Sequence, residues 1–160
     1  MPSTAEKRLQ ALVEIFNPSF VCKPENIQNG FGTLFITEDE QNAKLKKVLI
    51  NKVPENSVLL KMQLFSNIHL GNTLKTVLNS ETGVFQCCDF IILTLYKNQT
   101  HIIFIEMKSN PSGEMQQIIN QFKAASCFME YCDAITRYFK DINVFLSNSD
   151  HIHYFRDNTY

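Results

Sequence analysis

The chain reads as an α/β (α+β) fold, and three observations carry that reading. Residues 86–95 and 101–108 are apolar, β-branched runs separated by the polar Lys97-Asn98-Gln99-Thr100, which predicts two buried strands joined by a tight hairpin. Residues 113–133 follow with Met115, Ile118, Ile119, Phe122, Ala125 and Met129 at helical spacing. Residues 4–16 place Ala5, Leu9, Leu12, Val13 and Phe16 on one face of an N-terminal helix.

In chain order, the N-terminal helix is broken by the Pro18 to Pro24 region, and Asn29-Gly30-Phe31-Gly32 reads as a turn before a strand at 33–36. The spacing of Leu45, Val48 and Leu49 predicts a helix over 38–52, with Pro54 to stop it. Residues 58–65 alternate Lys61 and Gln63 on one side, as a half-buried strand does. Residues 73–79 suit a short helix or strand, and Glu81-Thr82-Gly83 turns the chain into the first hairpin strand. After the hairpin, residues 109–113 form a loop in which Ser112 is placed to cap the next helix, with Glu114 in its first turn. Ser126 is small enough to pack on that helix's apolar face. Residues 142–146 then read as another short strand.

The hairpin holds the residues of greatest chemical interest. Asp89 opens one strand, and Glu106 and Lys108 close the other. Burying unpaired charge is costly, so these groups are expected to meet one another or a metal. If Asn98 and Gln99 form the turn, Asp89 stands opposite Lys108 and Ile91 opposite Glu106. All three charged residues then share a face, with the Asp89 and Glu106 backbones roughly 7–8 Å apart as diagonal neighbours. A one-residue change in the turn would send Asp89 to the other face unless a bulge restored it. Two such carboxylates, with the Met107 carbonyl, suit Mg²⁺ or Mn²⁺. A bound water would then become a nucleophile near neutral pH, with Lys108 orienting it or stabilising charge on a phosphate oxygen. The competing bland reading is a surface ion pair of Asp89 with Lys108 and a solvated Glu106.

Asp89 on one strand, Glu106-Met107-Lys108 at the end of the next, and a helix after it resemble the PD-(D/E)XK nuclease superfamily over about residues 84–146. The resemblance implies a restriction-endonuclease-like αβββαβ core, a central mixed sheet flanked by helices, and metal-dependent cleavage of DNA or, less favoured, RNA. It also implies a helix-borne Gln near the metal, for which Gln121 is preferred over Gln117, and an acidic residue on the first helix. Glu6 is the better candidate there, since Glu14 points away; if the first core helix is instead the one near 40–51, Glu38 or Glu40 competes. Cys88 stands where the family name has Pro, and about seventy residues between the first helix and Asp89 is long for the family. The 1–83 region accordingly reads as an N-terminal helix, strands and an insertion on one nuclease-like domain of 160 residues. Restriction, phage defence, repair and mobile-element enzymes share this fold, so it does not set the task.

Composition bounds the rest. Hydrophobic residues make up 44% and charged ones 19%, ordinary for a globular protein. No apolar run approaches a membrane span and the N-terminus lacks a signal-peptide stretch, so a cytoplasmic protein is expected. The C-terminal segment carries no stop signal, in keeping with a domain cut from a longer protein. A net charge of −1 argues mildly against gripping nucleic acid over a broad surface, which leaves that role to a fused or partner domain and keeps open an inactive nuclease-fold module that binds nucleic acid or protein; a homodimer would suit cutting both strands of a duplex. Lys44, Lys46, Lys47 and Lys52 read as a solvated helix face. Five cysteines without a CxxC pair read as reduced thiols, with Cys87, Cys127 and Cys132 buried. His151-Ile152-His153 has two-ligand spacing but no Cys or third His nearby in sequence, so it reads as a packed or surface pair.

Overall fold

The computed structural model describes residues 3–37, 47–62, 87–107 and 115–144, and the backbone of strand 151–156. Ser3 begins the first helix, α1 (Thr4–Val13), by accepting from the Glu6 N–H while the Glu6 carboxylate accepts from the Ser3 N–H. This reciprocal cap satisfies two amides that have no partner within the helix. Ala5, Leu9, Ala11 and Leu12 are buried along one face.

A 3₁₀ turn at Pro18–Phe20 leads into β1 (Val21–Cys22), β2 (Glu25–Gln28) and β3 (Phe31–Thr37). Asn29 and Gly30 make the β2–β3 turn with φ of 52° and 80°, values that favour Asn and Gly. Gly32 is required by close approach: a Cβ there would lie 2.8 Å from the Glu25 carbonyl oxygen and from Pro24 Cβ.

The next element departs from expectation. Residues 47–54 form a strand, β4 (Lys47–Pro54), antiparallel to β3, where the sequence predicted the end of a helix. Val48 and Ile50 turn inward by alternation, but Lys52 takes φ 57° and the register shifts, so Val53 rather than Lys52 is buried. Leu49, which completes the helical spacing of Leu45 and Val48 in the sequence, is exposed on the strand's outward side. Lys47 and Lys52 are therefore strand residues; Glu38, Glu40, Lys44 and Lys46 lie outside the described residues.

Strand β5 (Val58–Lys61) leads into Met62; it is buried on both faces over Val58, Leu59 and Leu60, not half-buried, because sheet or helix covers each side. The hairpin strands are β6 (Phe90–Tyr96) and β7 (Gln99–Glu106). They flank a two-residue turn at Lys97-Asn98 with φ of 50° and 61°. The second long helix, α2 (Met115–Lys140), runs beyond the expected end at 133, because Cys132 and Thr136 continue the buried stripe. Met115 and Ile119, expected inward, are exposed. At about 100° per residue Ile119 falls about 100° from Ile118, outside the arc that Phe122, Ala125 and Met129 define. Residues 142–144 form no strand; the strand after the helix is β8 (His151–Arg156), parallel to β7. The segments 73–79, 81–83 and 109–113 lie outside the described residues.

The larger sheet has the order β1-β5-β6-β7-β8 and is antiparallel except for the β7–β8 pair; the smaller is β2-β3-β4. The helices cover one face of the larger sheet, where Leu9, Leu12, Ile91, Leu93, Ile102, Phe104, Phe122 and Met129 form one core. The smaller sheet covers the other face through Leu34, Ile36, Val53, Leu59, Phe90, Ile92 and Ile105. A mixed sheet flanked by helices was expected; a second sheet takes the place of helices on one side. No helix among the described residues is long and apolar enough to cross a membrane. All five cysteines are free: Cys88 and Cys132 are buried, Cys22 and Cys87 half-buried, and Cys127, expected inside, is exposed.

Candidate functional site

The turn sits one residue earlier than the sequence suggested, so every β6–β7 pair moves by two. Phe90 faces Ile105 and Ile91 faces Phe104, not Glu106. Continuing that register past the strand end sets Asp89 opposite Glu106, not Lys108. Since side chains alternate with a period of two, Asp89 and Glu106 keep the same face, the one covered by the helices.

Here the backbone ladder ends and two carboxylates extend it. The Asp89 N–H donates to Glu106 Oε2 at 3.2 Å, and the Met107 N–H donates to Asp89 Oδ2 at 2.7 Å. On the other side the Met62 N–H donates to the Asp89 carbonyl at 2.9 Å, tying the site to the end of β5. Asp89 is half-buried, while Glu106 is 2% exposed. The picture of Glu106 as a solvated bystander to a surface ion pair is therefore incorrect.

Helix α2 supplies the third member. Gln121 Nε2 donates to Glu106 Oε1 at 2.8 Å and to the Cys87 carbonyl at 3.5 Å. Gln121 lies about 60° from the centre of the helix's buried stripe and is buried, whereas Gln117 lies about 100° away and is exposed. The carboxylate neighbour fixes the amide's orientation, because a flipped amide would set oxygen against oxygen. Gln121 Oε1 is then buried with no hydrogen-bond partner among the described residues. A buried amide oxygen in that state costs about 1–3 kcal/mol, which a cation or an ordered water beside it would relieve.

Two hard carboxylates are the donor chemistry that Mg²⁺ or Mn²⁺ prefers, and the carbonyl of Met107, next to Glu106 in sequence, is a further oxygen that would join them. The hydrogen bonds described do not conflict with this, since each carboxylate oxygen has two acceptor lobes. Among the described residues no group of three or more His, Cys, Asp or Glu side chains converges. Lys108 lies outside the described residues. Glu6 is exposed, its carboxylate closing the α1 cap, and Glu14 pairs with Lys140 at the end of α2. The Cys87 carbonyl, a backbone acceptor for Gln121, was not anticipated, because no side-chain pattern marks it. Cys88 packs beside the site; its hydrogen bond with Cys87, followed by burial, pushes its thiol pKa strongly up, so it stays protonated.

A cleft of about 480 Å³ on the smaller sheet, lined in part by Asn26, Gln28, Phe31 and Lys52, includes none of these residues. No protein-family model, no curated protein and no solved structure matches the chain.

Proposed function

We propose that this chain is a metal-dependent nuclease of the PD-(D/E)XK type that hydrolyses phosphodiester bonds, with DNA the favoured substrate. The observation that carries the reading is the buried, hydrogen-bonded set of Asp89, Glu106 and Gln121 at one end of the β6–β7 hairpin. The element order supports it: helix α1, antiparallel strands β5, β6 and β7, helix α2 and the parallel strand β8 follow the αβββαβ order, with β1 to β4 inserted after the first helix.

Asp89, Glu106 and the Met107 carbonyl would hold Mg²⁺ or Mn²⁺. When bound, that ion supplies an acidified water and screens charge on the phosphate. Gln121 holds the Glu106 carboxylate in place from the helix. Lys108 would orient the attacking water and stabilise negative charge growing on the phosphoryl oxygen. Water oxygen bonds to phosphorus, the bond to the leaving sugar oxygen breaks, and that oxygen takes up a proton.

The test is cleavage of plasmid, single-stranded DNA and RNA in Mg²⁺, Mn²⁺ or EDTA, beside Lys108→Ala. Metal-dependent cleavage lost in Lys108→Ala supports the proposal. A folded protein that neither cleaves nor binds Mn²⁺ in calorimetry refutes it. One observation favours a second reading, a non-catalytic module of the same fold: both carboxylates already knit the strand ends through backbone amides, which is a sufficient structural role.

A further inference from the structure

We propose that His101, His151 and His153 form a binding site for a borderline transition-metal ion, Zn²⁺ above all, separate from the carboxylate site. The parallel β7–β8 pairing sets His101 against His151 and Ile103 against His153. Partners in register share a sheet face, as do residues two apart along a strand. The three histidines therefore occupy neighbouring positions on one face. Across the pair the strands lie about 4.8 Å apart, and positions two apart along β8 are separated by about 6.6 Å. Three histidines at such neighbouring register positions supply the ligand number of an open zinc site, which keeps a fourth place for water.

His-x-His on one strand gives only two ligands and reads from sequence as a packed pair. The third comes from β7, far upstream, and only the crossover through α2 brings it alongside. Imidazole donors select Zn²⁺, Co²⁺, Ni²⁺ or Cu²⁺ over Mg²⁺. The position is also distinct. It lies near the Lys97-Asn98 turn, five residues along β7 from Glu106, or about 17 Å. It occupies the opposite sheet face as well, since Ile103 packs with the smaller sheet's core. Strand β8 ends the sheet order among the described residues. The His101 ring meets Tyr96 edge-on with centroids 6.0 Å apart, a contact that limits its rotation. Lys97, whose ammonium lies 5.1 Å from the Tyr96 ring centroid, works against a cation and moderates the affinity.

The test uses the untagged full chain, stripped with chelator and titrated with Zn²⁺ by calorimetry. We expect one Zn²⁺ per chain. His101→Gln, His151→Gln and His153→Gln should each weaken binding on the order of 100-fold or more, because three ligands share the binding free energy. The Asp89→Ala/Glu106→Ala double variant should bind Zn²⁺ as the unaltered chain does. Co²⁺ in the unaltered chain should give the intense visible absorption of a four-coordinate ion, a readout that does not depend on any variant folding. Zn²⁺ affinity unmoved by all three histidine changes, binding lost only in the double variant, or a weak six-coordinate Co²⁺ spectrum would each overturn the proposal. None of these outcomes depends on whether the protein cleaves nucleic acid.

Discussion

Replacing Asp89 by Ala and by Asn separates its two jobs. The carboxylate accepts from the Met107 N–H at 2.7 Å, and Met107 is only 9% exposed. In Asp89→Ala that amide loses a charge-assisted bond and gains little water. Hydrogen bonds to charged groups contribute about 1.5–3 kcal/mol, so a loss of about 2–3 kcal/mol is expected. Asp89→Asn keeps an acceptor oxygen in the same place but not the charge. Neutral bonds are roughly half as strong, so its loss should be about 1 kcal/mol. For a domain of this size 1 kcal/mol moves the melting temperature by about 2–4 °C, so Ala should melt roughly 4–12 °C below the unaltered protein and Asn roughly 2–4 °C below. Under the proposed function both changes abolish metal-dependent cleavage, because neither leaves a carboxylate to bind the ion. Urea and thermal unfolding measure the first contrast and the cleavage assay the second. Equal stability of the Ala and Asn variants would refute the assignment of the Met107 amide to this carboxylate, and full activity in Asn would refute its role as a metal ligand.

Phe104→Ala should cost about 3–5 kcal/mol in urea unfolding, because Phe104 is fully buried and stacks on Phe122 with centroids 6.4 Å apart. Burial, with a smaller contribution from Cys87, pushes the Cys132 thiol from 9.0 up to about 12. The folded state thus favours the protonated thiol, so this contribution to stability is whole below pH 9.0 and lost as pH rises towards about 12. Cys132→Ala should flatten that alkaline decline in denaturant titrations. At pH 8 a thiol reagent should label exposed Cys127 and spare Cys88 and Cys132 in the folded protein, as peptide mapping would show. Lys97→Asn with Asn98→Gly should raise stability by about 1 kcal/mol in thermal unfolding, since Lys97 now holds a left-handed φ of 50° that an Asn-Gly turn adopts more readily.

Elements held by local chemistry were apparent before the structure. The capped α1, the Asn-Gly turn, both hairpin strands and the apolar stripe of α2 each carry their own signal over a few residues. The elements that escaped depend on partners elsewhere in the chain. Strand β4 exists because β3 offers it an edge, and its bulge at Lys52 hides the alternation. Strand β8 is fixed by its parallel pairing with β7, and its polar His-Ile-His start lacks the apolar run that marks most parallel strands in a sequence. Cys127 could be told from Cys132 only by angle: at about 100° per residue Cys127 falls opposite the stripe of Ile118, Phe122, Ala125 and Met129, whereas Cys132 falls on it.

Asp89 and Glu106 share a face despite a turn placed one residue too late, and the reason is geometric. A two-residue turn moved by one position changes the sum of each paired residue number by two. A shift of two is a full period of the strand, so every side chain keeps its face and only its neighbour changes. Asp89 therefore exchanged Lys108 for Glu106 as its partner but never left the helix-covered side. Had the loop gained a single residue instead, the shift would have been one, and Asp89 and Glu106 would have fallen on opposite faces of the sheet. A one-residue insertion between Lys97 and Asn98 makes that argument experimental. If the strands slip to accommodate it, one of the two carboxylates must turn to the face covered by the smaller sheet and bury its charge there, and the protein should lose cooperative unfolding. If the loop absorbs it as a bulge, the register of Asp89 with Glu106 survives, and hydrogen exchange at the Met107 amide should stay as slow as in the unaltered chain.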